Sequence, residues 1–355
     1  MDLSEPQVMG ILNVTPDSFY AGSRAETEKD IIQRLHQIVD EGASIVDIGA
    51  YSSRPDAEHI SNEEEMSRLR TGLKLIREHC PEAIVSVDTF RADVAKMCVE
   101  EYGAAIINDI SAGNMDEAMF TTIAKLGVPY IAMHMKGTPQ TMQIAPQYDH
   151  FLKEIFYFFS EKVQKLRDLG VKDIILDPGF GFGKTLEHNY QLMNHLEEFK
   201  LFELPLLVGI SRKSMIYKLL DTTPEEALNG TTILNTIALQ KGAHILRVHD
   251  VKAAVEAVKI VEKMKWCKLP GHSHSPSGYD TIGWASTGVP HRCIPSEWRD
   301  VSLYRQWPPR RHRSDGSGWL CCDCLRSPHN RAAKSSCWQK LRFAMPCASS
   351  GCRDA

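Results

Sequence analysis

Eight short apolar runs, rich in β-branched residues, recur along the first 250 residues, and each ends in a polar cluster. They are VMGILNV (8–14), SIVDIGA (44–50), AIVSVD (83–88), AAIINDI (104–110), PYIAMHM (129–135), DIILDPG (173–179), PLLVGIS (205–211) and HILRVHD (244–250). Near-continuous apolar runs of this kind are typical of strands buried on both faces, as in a parallel sheet. Helical patterns fill the remaining segments, at 25–41, 62–79, 91–102, 116–127, 150–169, 186–200, 224–241 and 251–265.

Eight strand–helix units in about 260 residues predict an α/β fold of the TIM (β/α)8 barrel type. A doubly wound parallel sheet is the alternative, but such a sheet usually has fewer strands and a Gly-rich turn after the first one. No G-x-G-x-x-G follows Val14. We therefore expect a closed barrel and no dinucleotide site.

Charge, cysteine and tryptophan content divide the chain into two parts. The whole chain has a formal net charge of −4, yet residues 271–355 hold 12 Lys and Arg against 6 Asp and Glu. The same segment holds seven of the 10 cysteines and five of the 6 tryptophans. We predict a barrel domain over 1–268 and a basic extension over 269–355 that is largely disordered, arising from a fusion or read-through.

No helical or alternating pattern persists in this extension. Its Cys321, Cys322, Cys324 and Cys337 lack the paired C-x-x-C spacing of zinc sites. The stretch RQWPPRRHR mixes Arg with Trp, as some nucleic-acid-binding segments do. A disordered, charged segment is the favoured interpretation, so no nucleic-acid partner is expected.

The start of the chain does not resemble a secretory signal peptide. Met1 to Pro6 is polar and acidic, and a predicted strand follows at once. No apolar run approaches the length of a membrane span. These features predict a soluble cytoplasmic protein without a membrane partner.

Polar side chains stand where the predicted strands end, which is where a barrel of this type carries its active site. They are Asn13, Asp47, Asp88, Asn108, His134, Asp177, the run Ser211-Arg212-Lys213, Arg247 and His249. Any single one of them could be a loop cap. Their coincidence across most of the strands predicts a functional site.

These side chains divide by charge. Asp88, Asn108 and Asp177 supply acceptors, which suit a ligand edge rich in N–H groups such as a 2-amino-4-oxo-pyrimidine. Lys213, Arg247, His249 and Asn13 supply donors suited to an anion such as phosphate, and Asn13 could also coordinate a hard cation. One ligand with a guanine-like head and a phosphorylated tail would satisfy both sets.

Three loops carry functional signals. TPDSFYAGSR after the first strand and YSSRPDAEH after the second are polar, Pro-containing and long enough to act as lids. DPGFGFGKT after the sixth lacks the spacing of a Walker A motif. We expect its glycines to give backbone freedom around Phe180 and Phe182 beside a planar ligand.

Eight motifs in register resemble dihydropteroate synthase over roughly residues 7–265. They are NVTPDSF, SSRP, SVDTF, INDIS, MHMKGTPQTMQ, LDPGFGFGK, GISRKSM and RVHDV. The resemblance implies a transferase that joins 6-hydroxymethyl-7,8-dihydropterin pyrophosphate to p-aminobenzoate, giving 7,8-dihydropteroate and pyrophosphate in folate synthesis. It also implies a homodimer that uses Mg²⁺ and is a sulfonamide target; a sulfonamide-resistant variant is compatible with the sequence.

The resemblance carries roles onto matching positions. The pterin pocket would be Asp88, Asn108, Ile110, Met133, Asp177, Gly209 and Lys213. The pyrophosphate site would be Asn13, Ser53, Arg54, Arg247 and His249, with Asn13 also on the metal. The p-aminobenzoate pocket would be Arg54, Pro55, Phe182, Lys213 and Ser214, with the carboxylate near the N-terminus of the helix after the seventh strand. The catalytic set would be Asn13, Asp17, Phe19, Asp88, Lys213 and Arg247.

The family mechanism is dissociative: pyrophosphate leaves first, and a pterin cation is held until the arylamine attacks. Asn13 would meet the leaving group, while Asp17 and Phe19 on the first lid would cover the cation and exclude water. One departure from many relatives is Asp56, where they have Gly after Arg-Pro. We expect Asp56 to face solvent, although a carboxylate there could weaken anion binding or alter loop closure.

Three rival functions remain open on the sequence. A corrinoid-dependent methyltransferase domain has a related pterin-binding barrel but no need of SRKS or the lid sequences. Lys213 beside a strand end would suit a Schiff-base aldolase, and a non-catalytic pterin-binding protein would keep the pocket without turnover. We expect His134 to be a satisfied residue of the inner mouth and Cys98 to be a helix core residue.

Overall fold

The computed structural model describes residues 2–14, 24–51, 59–139, 142 and 146–266. The strands are β1 (Gln7–Asn13), β2 (Ile45–Gly49), β3 (Ile84–Asp88), β4 (Ile106–Asp109), β5 (Tyr130–Met133), β6 (Ile174–Asp177), β7 (Leu207–Val208) and β8 (Ile245–Val248). The α-helices are α1 (Arg24–Asp40), α2 (Asn62–His79), α3 (Ala92–Tyr102), α4 (Met119–Leu126), α5 (Phe151–Asp168), α6 (Leu186–Asn194), α7 (Ser214–Tyr217), α8 (Leu228–Gln240) and α9 (Val251–Trp266). All eight predicted strands are present.

The strands form one parallel sheet in the order β6-β5-β4-β3-β2-β1-β8-β7. A parallel bridge between Leu176 and Leu206 joins the two ends of this order, and the Leu176 N–H donates to the Pro205 carbonyl at 2.9 Å. The sheet therefore closes into a barrel wrapped by helices. The predicted TIM barrel is confirmed, and the doubly wound alternative is wrong.

Glycines end several helices. Gly103 and Gly127 follow α3 and α4 with φ values of 66° in both cases, and their N–H groups bond back to Val99 and Ile123. Glycine has no Cβ to oppose this left-handed conformation, so it is well suited to stop a helix before the next strand.

The helices depart from the sequence patterns in two places. The pattern over 186–200 is split, because His195 leaves the helical conformation after α6 and a 3-10 helix then runs over Leu196–Phe202. The pattern over 224–241 begins four residues late, at Leu228, and the short α7 precedes it. A helix of four residues is too short to show a 3.6-residue period, so the sequence did not predict α7.

The barrel interior explains how the strands position a site. Each strand contributes one apolar side chain to a cluster inside the barrel: Met9, Ile45, Ile84, Ile106, Ile131, Ile175, Leu207 and Ile245. Because side chains alternate along a strand, the residue two positions later also faces inward, nearer the carboxyl end. We call these later residues the inner set; they are Ile11, Asp47, Ser86, Asn108, Met133, Asp177, Gly209 and Arg247. An apolar floor thus lies beneath a mostly polar layer.

Two further features of the described part bear on the sequence predictions. No helix in the part of the chain that the structure describes is long and apolar enough to cross a membrane. Cys98 is fully buried in α3, as predicted for a core residue. The predicted extension over 269–355 lies outside the described residues.

We predict that a chain truncated after Lys268 keeps the melting temperature and the synthase activity of the full chain. The eight strands and α9 are complete by Trp266, and the extension has no sustained apolar face with which to offset its ordering entropy. Thermal unfolding and turnover of both chains check this. A melting temperature several degrees lower in the truncated chain, or lost activity, would show that the extension stabilises the barrel.

Candidate active site

The structure brings most of the residues predicted for the site to the carboxyl end of the barrel. Asn13, Asp88, Met133 and Asp177 are the last residues of β1, β3, β5 and β6, and Asn108 and Arg247 lie in β4 and β8. Ile110, Gly209 and His249 follow directly on β4, β7 and β8, and Lys213 and Ser214 lie at the start of α7. Asp17, Phe19, Ser53, Arg54, Pro55 and Asp56 lie outside the described residues.

Arg247 lies between two carboxylates. Its Nε donates to Asp47 Oδ2 at 2.6 Å and its Nη2 donates to Asp88 Oδ2 at 2.7 Å. The Asp47 side chain is fully buried, and those of Asp88 and Arg247 are 22% and 21% exposed. A guanidinium has five N–H donors, so these two bonds leave three for an anionic ligand.

The pKa values in this group reflect burial and charge together. Burial raises the pKa of Asp88 well above its usual range, against the lowering effect of Arg247, and the charges of Asp47, Glu65 and Asp109 raise it further. Burial opposes the charged form of Arg247, but its two carboxylate partners more than compensate and keep its pKa above the ordinary value. Asp88 is therefore a carboxyl group that can hold or release a proton near neutral pH.

Asp177 lies on the opposite side of the barrel mouth, at the end of β6. It is 5% exposed, and its Oδ1 accepts the Gly179 N–H at 2.8 Å. Burial raises the pKa of this carboxyl, and the charge of Lys213 acts in the other direction. Because Oδ1 makes the bond to Gly179, Oδ2 is the oxygen that would accept an N–H group of a ligand.

Lys213 interacts with the charge of Asp177 and also lies over the ring of Phe182. Its Nζ donates to the Phe180 carbonyl at 2.6 Å and lies 4.6 Å from the centre of the Phe182 ring, a cation–π distance. Burial lowers the pKa of this ammonium to about 8, although the charge of Asp177 raises it. The mouth thus carries a cation and a flat apolar surface side by side.

The loop after β6 is held by a buried lysine that the sequence did not single out. Lys184 is 4% exposed, and its Nζ donates to the carbonyls of Gly179 and Phe182 at 2.8 and 3.1 Å and contacts His134 Nδ1 at 2.9 Å. His134 is therefore buried and satisfied, as predicted. Burial and the charge of Lys184 hold the pKa of His134 well below its usual value, and burial also holds the pKa of Lys184 well below that of an ordinary lysine.

The expectation for the two phenylalanines of this loop is half wrong. Phe182 lies at the mouth and packs against the cluster of Phe90, Ile110 and Met133. Phe180 is fully buried in the main core instead. Gly179, Gly181 and Gly183 all have positive φ. The backbone therefore turns on both sides of each phenylalanine, and the two rings pack in different clusters.

His249, which the sequence predicts as a donor to an anion, has a strongly lowered pKa. The packed surroundings and the charge of Arg247 lower the pKa of its imidazole to about 4, although part of the residue is exposed. Ser211 Oγ accepts the His249 backbone N–H at 3.1 Å and lies 3.0 Å from His249 Nδ1. The hydroxyl can donate to Nδ1, which leaves Nε2–H as the donor that a neutral ring offers to a ligand.

Arg91 fastens the far end of the second lid loop beside β3. It is paired with the fully buried Glu65 at 2.5 Å, and it donates to the carbonyls of Ile60 and Ser61 at 2.6 and 3.2 Å. Its guanidinium also lies 5.5 Å from the Tyr51 ring centre. Both described ends of the loop are thus held against Arg91, three residues after the end of β3.

Two helices follow β7. The predicted helix over 224–241 is α8, which begins at Leu228, and the unpredicted α7 before it has four residues, Ser214–Tyr217, with Lys213 as its N-cap. A single turn has little macrodipole, because the effect requires aligned peptide units. The charge of Lys213 is the stronger attraction for a carboxylate at this position.

The barrel mouth suits a divalent cation that is held mainly by a bound phosphate ligand. The described residues contain no group of three or more His, Cys, Asp and Glu that could hold a metal ion. Asn13 is an exposed amide at the end of β1, beside β8. Mg²⁺ keeps several waters and takes phosphate oxygens readily, so one amide oxygen together with a bound pyrophosphate suits it.

Comparison with known proteins agrees with this geometry. A family model described as pterin binding enzyme matches residues 9–249. The dihydropteroate synthase of Escherichia coli K12 is 45% identical over 264 residues, which cover 74% of this chain and 93% of the relative. The chain belongs to the dihydropteroate synthase family. It is accordingly a transferase of folate synthesis.

Solved structures of relatives share the fold. The Yersinia pestis dihydropteroate synthase with a sulfonamide drug complex has a TM-score of 0.70 and 42% identity, covering 76% of this chain and 97% of that one. The Xanthomonas albilineans dihydropteroate synthase with 4-aminobenzoic acid has a TM-score of 0.69 and 35% identity, covering 76% and 96%. The family resemblance seen in the motifs is thereby confirmed.

We expect the pH profile of the reaction to show the lowered pKa of Lys213. The protonated ammonium is the form that attracts a carboxylate, and its pKa of about 8 lies below the ordinary lysine value of 10.5. The rate constant kcat/KM for p-aminobenzoate should therefore fall above about pH 8. In Lys213→Arg the guanidinium stays charged, so this fall should move to higher pH even if the overall rate is lower. A wild-type profile that stays flat beyond about pH 9.5 would contradict the assignment.

Proposed function

We propose that the barrel mouth joins 6-hydroxymethyl-7,8-dihydropterin pyrophosphate to p-aminobenzoate. The observation that carries this proposal is the arrangement of charge at the carboxyl end of the barrel. Acceptors lie on β3, β4 and β6, where Arg247 bonds to Asp88 and the charge of Lys213 acts on Asp177. A ligand with an N–H-rich head and an anionic tail uses both groups at once.

The pterin head would lie among Asp88, Asn108 and Asp177, with Lys213 on its oxygen. Ile110 and Met133 belong to the buried apolar cluster of the mouth and would cover the ring faces. A Cβ at Gly209 would make only ordinary contact with Arg247 Cβ, at 3.7 Å. The described neighbours therefore do not require a glycine there, whereas a flat ligand lying against this backbone would. The carboxyl of Asp177 would accept the N–H bonds of the pyrimidine edge.

The pyrophosphate would bind Asn13, Arg247 and the Nε2–H of His249. Three N–H donors of Arg247 remain for it beside the two carboxylate bonds. Asn13 would hold Mg²⁺ together with the phosphate oxygens. That cation would neutralise the charge that grows on the leaving group.

The arylamine would lie against Phe182, with its carboxylate near Lys213 and Ser214. The relative from Xanthomonas albilineans was solved with 4-aminobenzoic acid and that from Yersinia pestis with a sulfonamide drug complex. A sulfonamide would compete with p-aminobenzoate at this position in the present chain. Ser53, Arg54 and Pro55, outside the described residues, would complete the pocket.

The reaction breaks the bond between the pterin methylene carbon and the pyrophosphate oxygen and forms a bond from that carbon to the amine nitrogen. We propose that the first bond breaks before the second forms. Arg247 and His249 then hold the departing pyrophosphate, and the carboxylates at the mouth stabilise the cation. The amine loses one proton to solvent or to a nearby base, and the lid bearing Asp17 and Phe19 would exclude water meanwhile.

Growth of a host that lacks its own dihydropteroate synthase tests the function in cells. The full chain should restore growth without added folate precursors, whereas Asp177→Asn should not. Growth in the presence and absence of a sulfonamide then shows whether the chain is sensitive or resistant. Absence of growth with soluble wild-type chain would argue for a pterin-binding protein without this activity.

We propose that the chain forms a homodimer through α8 and α9 and is located in the cytoplasm. Six of the ten exposed large hydrophobic residues of the described part lie on or just before these helices: Leu219, Leu220, Leu228, Ile233, Ile260 and Met264. Helices α8 and α9 pack against each other, so we propose that their exposed apolar residues meet those of a second copy. The described cysteines, Cys80 and Cys98, are free thiols, as is usual in a reducing compartment.

We expect Ile260→Lys to weaken this dimer. Ile260 is 60% exposed on α9, and a lysine at the centre of an apolar interface would leave a charge unpaired. A loss of about 2 kcal/mol corresponds to roughly thirtyfold weaker association. Sedimentation equilibrium measures it, and Leu201→Lys, a residue 79% exposed outside this face, is the matched control. Equal association of both variants would place the interface elsewhere.

A further inference from the structure

Asp47 is a buried carboxylate to which the proposed function gives no role. It lies in β2, two residues after Ile45 of the apolar floor, and its side chain is fully buried. Its Oδ1 has no hydrogen-bond partner among the described residues. A buried charge with one unsatisfied oxygen is costly to maintain, so Asp47 is poorly suited to a purely stabilising role.

The second oxygen of Asp47 contacts both halves of the proposed site. Asp47 Oδ2 accepts Arg247 Nε at 2.6 Å and Asn108 Nδ2 at 3.2 Å. Arg247 is the proposed pyrophosphate ligand, and Asn108 is a proposed pterin ligand. A single atom therefore fixes the orientation of one donor group for the tail and one amide for the head of the same substrate.

The other carboxylate on Arg247 cannot perform this role throughout the reaction. Asp88 is partly exposed at the mouth. When its carboxylate accepts an N–H of the pterin, its hydrogen bond to Arg247 becomes weaker. Asp47 has no access to ligand or solvent, so its bond to Arg247 Nε persists. The amide of Asn108 is held in the same way, with its carbonyl oxygen free for the pterin.

We propose that Asp47 is a positioning residue that holds Arg247 and Asn108 in register, so that head and tail of the substrate bind in one geometry. This inference rests on the proposed function for the identity of the two ligands. It assigns no contact between Asp47 and the substrate. Its signature is that one substitution weakens two chemically different ligands.

Asp47→Asn tests this signature, with Ser86→Ala as the matched control. Ser86 is the Cα partner of Asp47 on the adjacent β3, is equally buried and has an unpartnered Oγ. The asparagine keeps the shape but loses the charge. Its single oxygen can replace Oδ2 as the acceptor of both donors, so the bond to Arg247 loses its charge assistance, and an N–H₂ takes the unpartnered position of Oδ1. Calorimetry is performed with inorganic pyrophosphate plus Mg²⁺ and, separately, with a hydroxymethylpterin that has no pyrophosphate.

We expect Asp47→Asn to bind each of the two ligands at least about tenfold more weakly, the size expected for a lost charge-assisted hydrogen bond. Ser86→Ala should stay within about twofold of wild type for both, and the KM for p-aminobenzoate should be unchanged in both variants. Folded Asp47→Asn with wild-type affinity for both ligands overturns the inference, as does a loss confined to one ligand.

A second measurement uses the unmodified chain, in case Asp47→Asn does not fold. In ¹⁵N-arginine-labelled protein, the Arg247 Nε–H should exchange with water far more slowly than that of Arg70, which pairs with Glu101 on the surface. Its signal, assigned by its loss in Arg247→Lys, should persist when the pterin binds. Exchange as fast as that of Arg70 overturns the inference.

Turnover by the wild-type chain is recorded in parallel and separates this inference from the proposed function. No turnover although both ligands bind overturns the proposed function alone. A chain that binds neither ligand overturns both the proposed function and the role of Asp47.

Discussion

Replacing Arg247 by methionine should destabilise the barrel by about 3–5 kcal/mol near pH 8, the usual cost of removing one partner of a buried ion pair. Arg247 neutralises two carboxylates, the fully buried Asp47 and the partly buried Asp88. Methionine fills much of the space but leaves both charges without a cation. For a domain of this size the melting temperature should fall by roughly 6–20 °C.

The effect of this substitution should depend on pH with a definite sign. Burial already raises the folded-state pKa of Asp88 above its ordinary value, and the loss of Arg247 raises this pKa further. A carboxyl of this kind destabilises the fold once the pH exceeds its unfolded pKa, and the penalty grows until the folded pKa is passed. The difference between Arg247→Met and wild type should therefore shrink as the pH falls from about 8 towards 5.

Arg70→Met is the matched control for Arg247→Met. Arg70 makes a two-bond pair with Glu101, but their side chains are 44% and 46% exposed. Exposed pairs contribute about 0–1 kcal/mol, so this variant should melt close to wild type at every pH. Thermal unfolding of the three proteins at several pH values measures the contrast. Equal stability of the two variants would show that Arg247 is not the counter-ion of the barrel mouth.

Replacing Asp177 by asparagine should reduce pterin affinity at least about tenfold, because a charge-assisted hydrogen bond contributes roughly 1.5–3 kcal/mol. Asp177 Oδ1 is already bonded to the Gly179 N–H. An asparagine keeps that bond with its oxygen, and its N–H₂ then faces a ligand N–H donor. The substitution replaces attraction by a conflict of two donors.

Calorimetry with a pterin ligand measures the loss, and Asp173→Asn is the control. Asp173 is exposed and precedes the opposite end of the same strand, β6. Its replacement should leave pterin affinity unchanged and should not alter the barrel. Wild-type affinity in Asp177→Asn would show that this carboxyl does not bind the pterin. Asp88 and Asn108 would then be the acceptors for the N–H groups of the ligand.

The sequence predicted the barrel well because a buried parallel strand has a simple signature. Each of the eight apolar runs became a strand, even β7, which has only two residues in regular pairing. Side chains alternate between the two faces of a strand, so the residue two positions after each member of the apolar floor is also predicted to face the barrel interior. Applied to β2, this rule places Asp47 two residues after Ile45, so the signal for that residue was present in the sequence.

The partners of these residues were beyond sequence reasoning. Arg247 pairs with residues 200 and 159 positions away, and no local pattern specifies such contacts. The low pKa of His249 and the buried bonds of Lys184 arise from packing of several loops, which composition does not show. In the loop after β6, glycines with positive φ redirected Phe180 into the core, a conformation that spacing does not predict.

The central claim is that the polar residues at the carboxyl end of the barrel, among them Asp88, Asp177, Lys213 and Arg247, catalyse the joining of a pterin to an arylamine. The most direct measurement is turnover by the purified full chain with 6-hydroxymethyl-7,8-dihydropterin pyrophosphate, p-aminobenzoate and Mg²⁺. We predict 7,8-dihydropteroate and pyrophosphate in equal amounts, and a much slower reaction with Asp177→Asn. A folded wild-type chain that binds the pterin pyrophosphate but forms no dihydropteroate would contradict the claim.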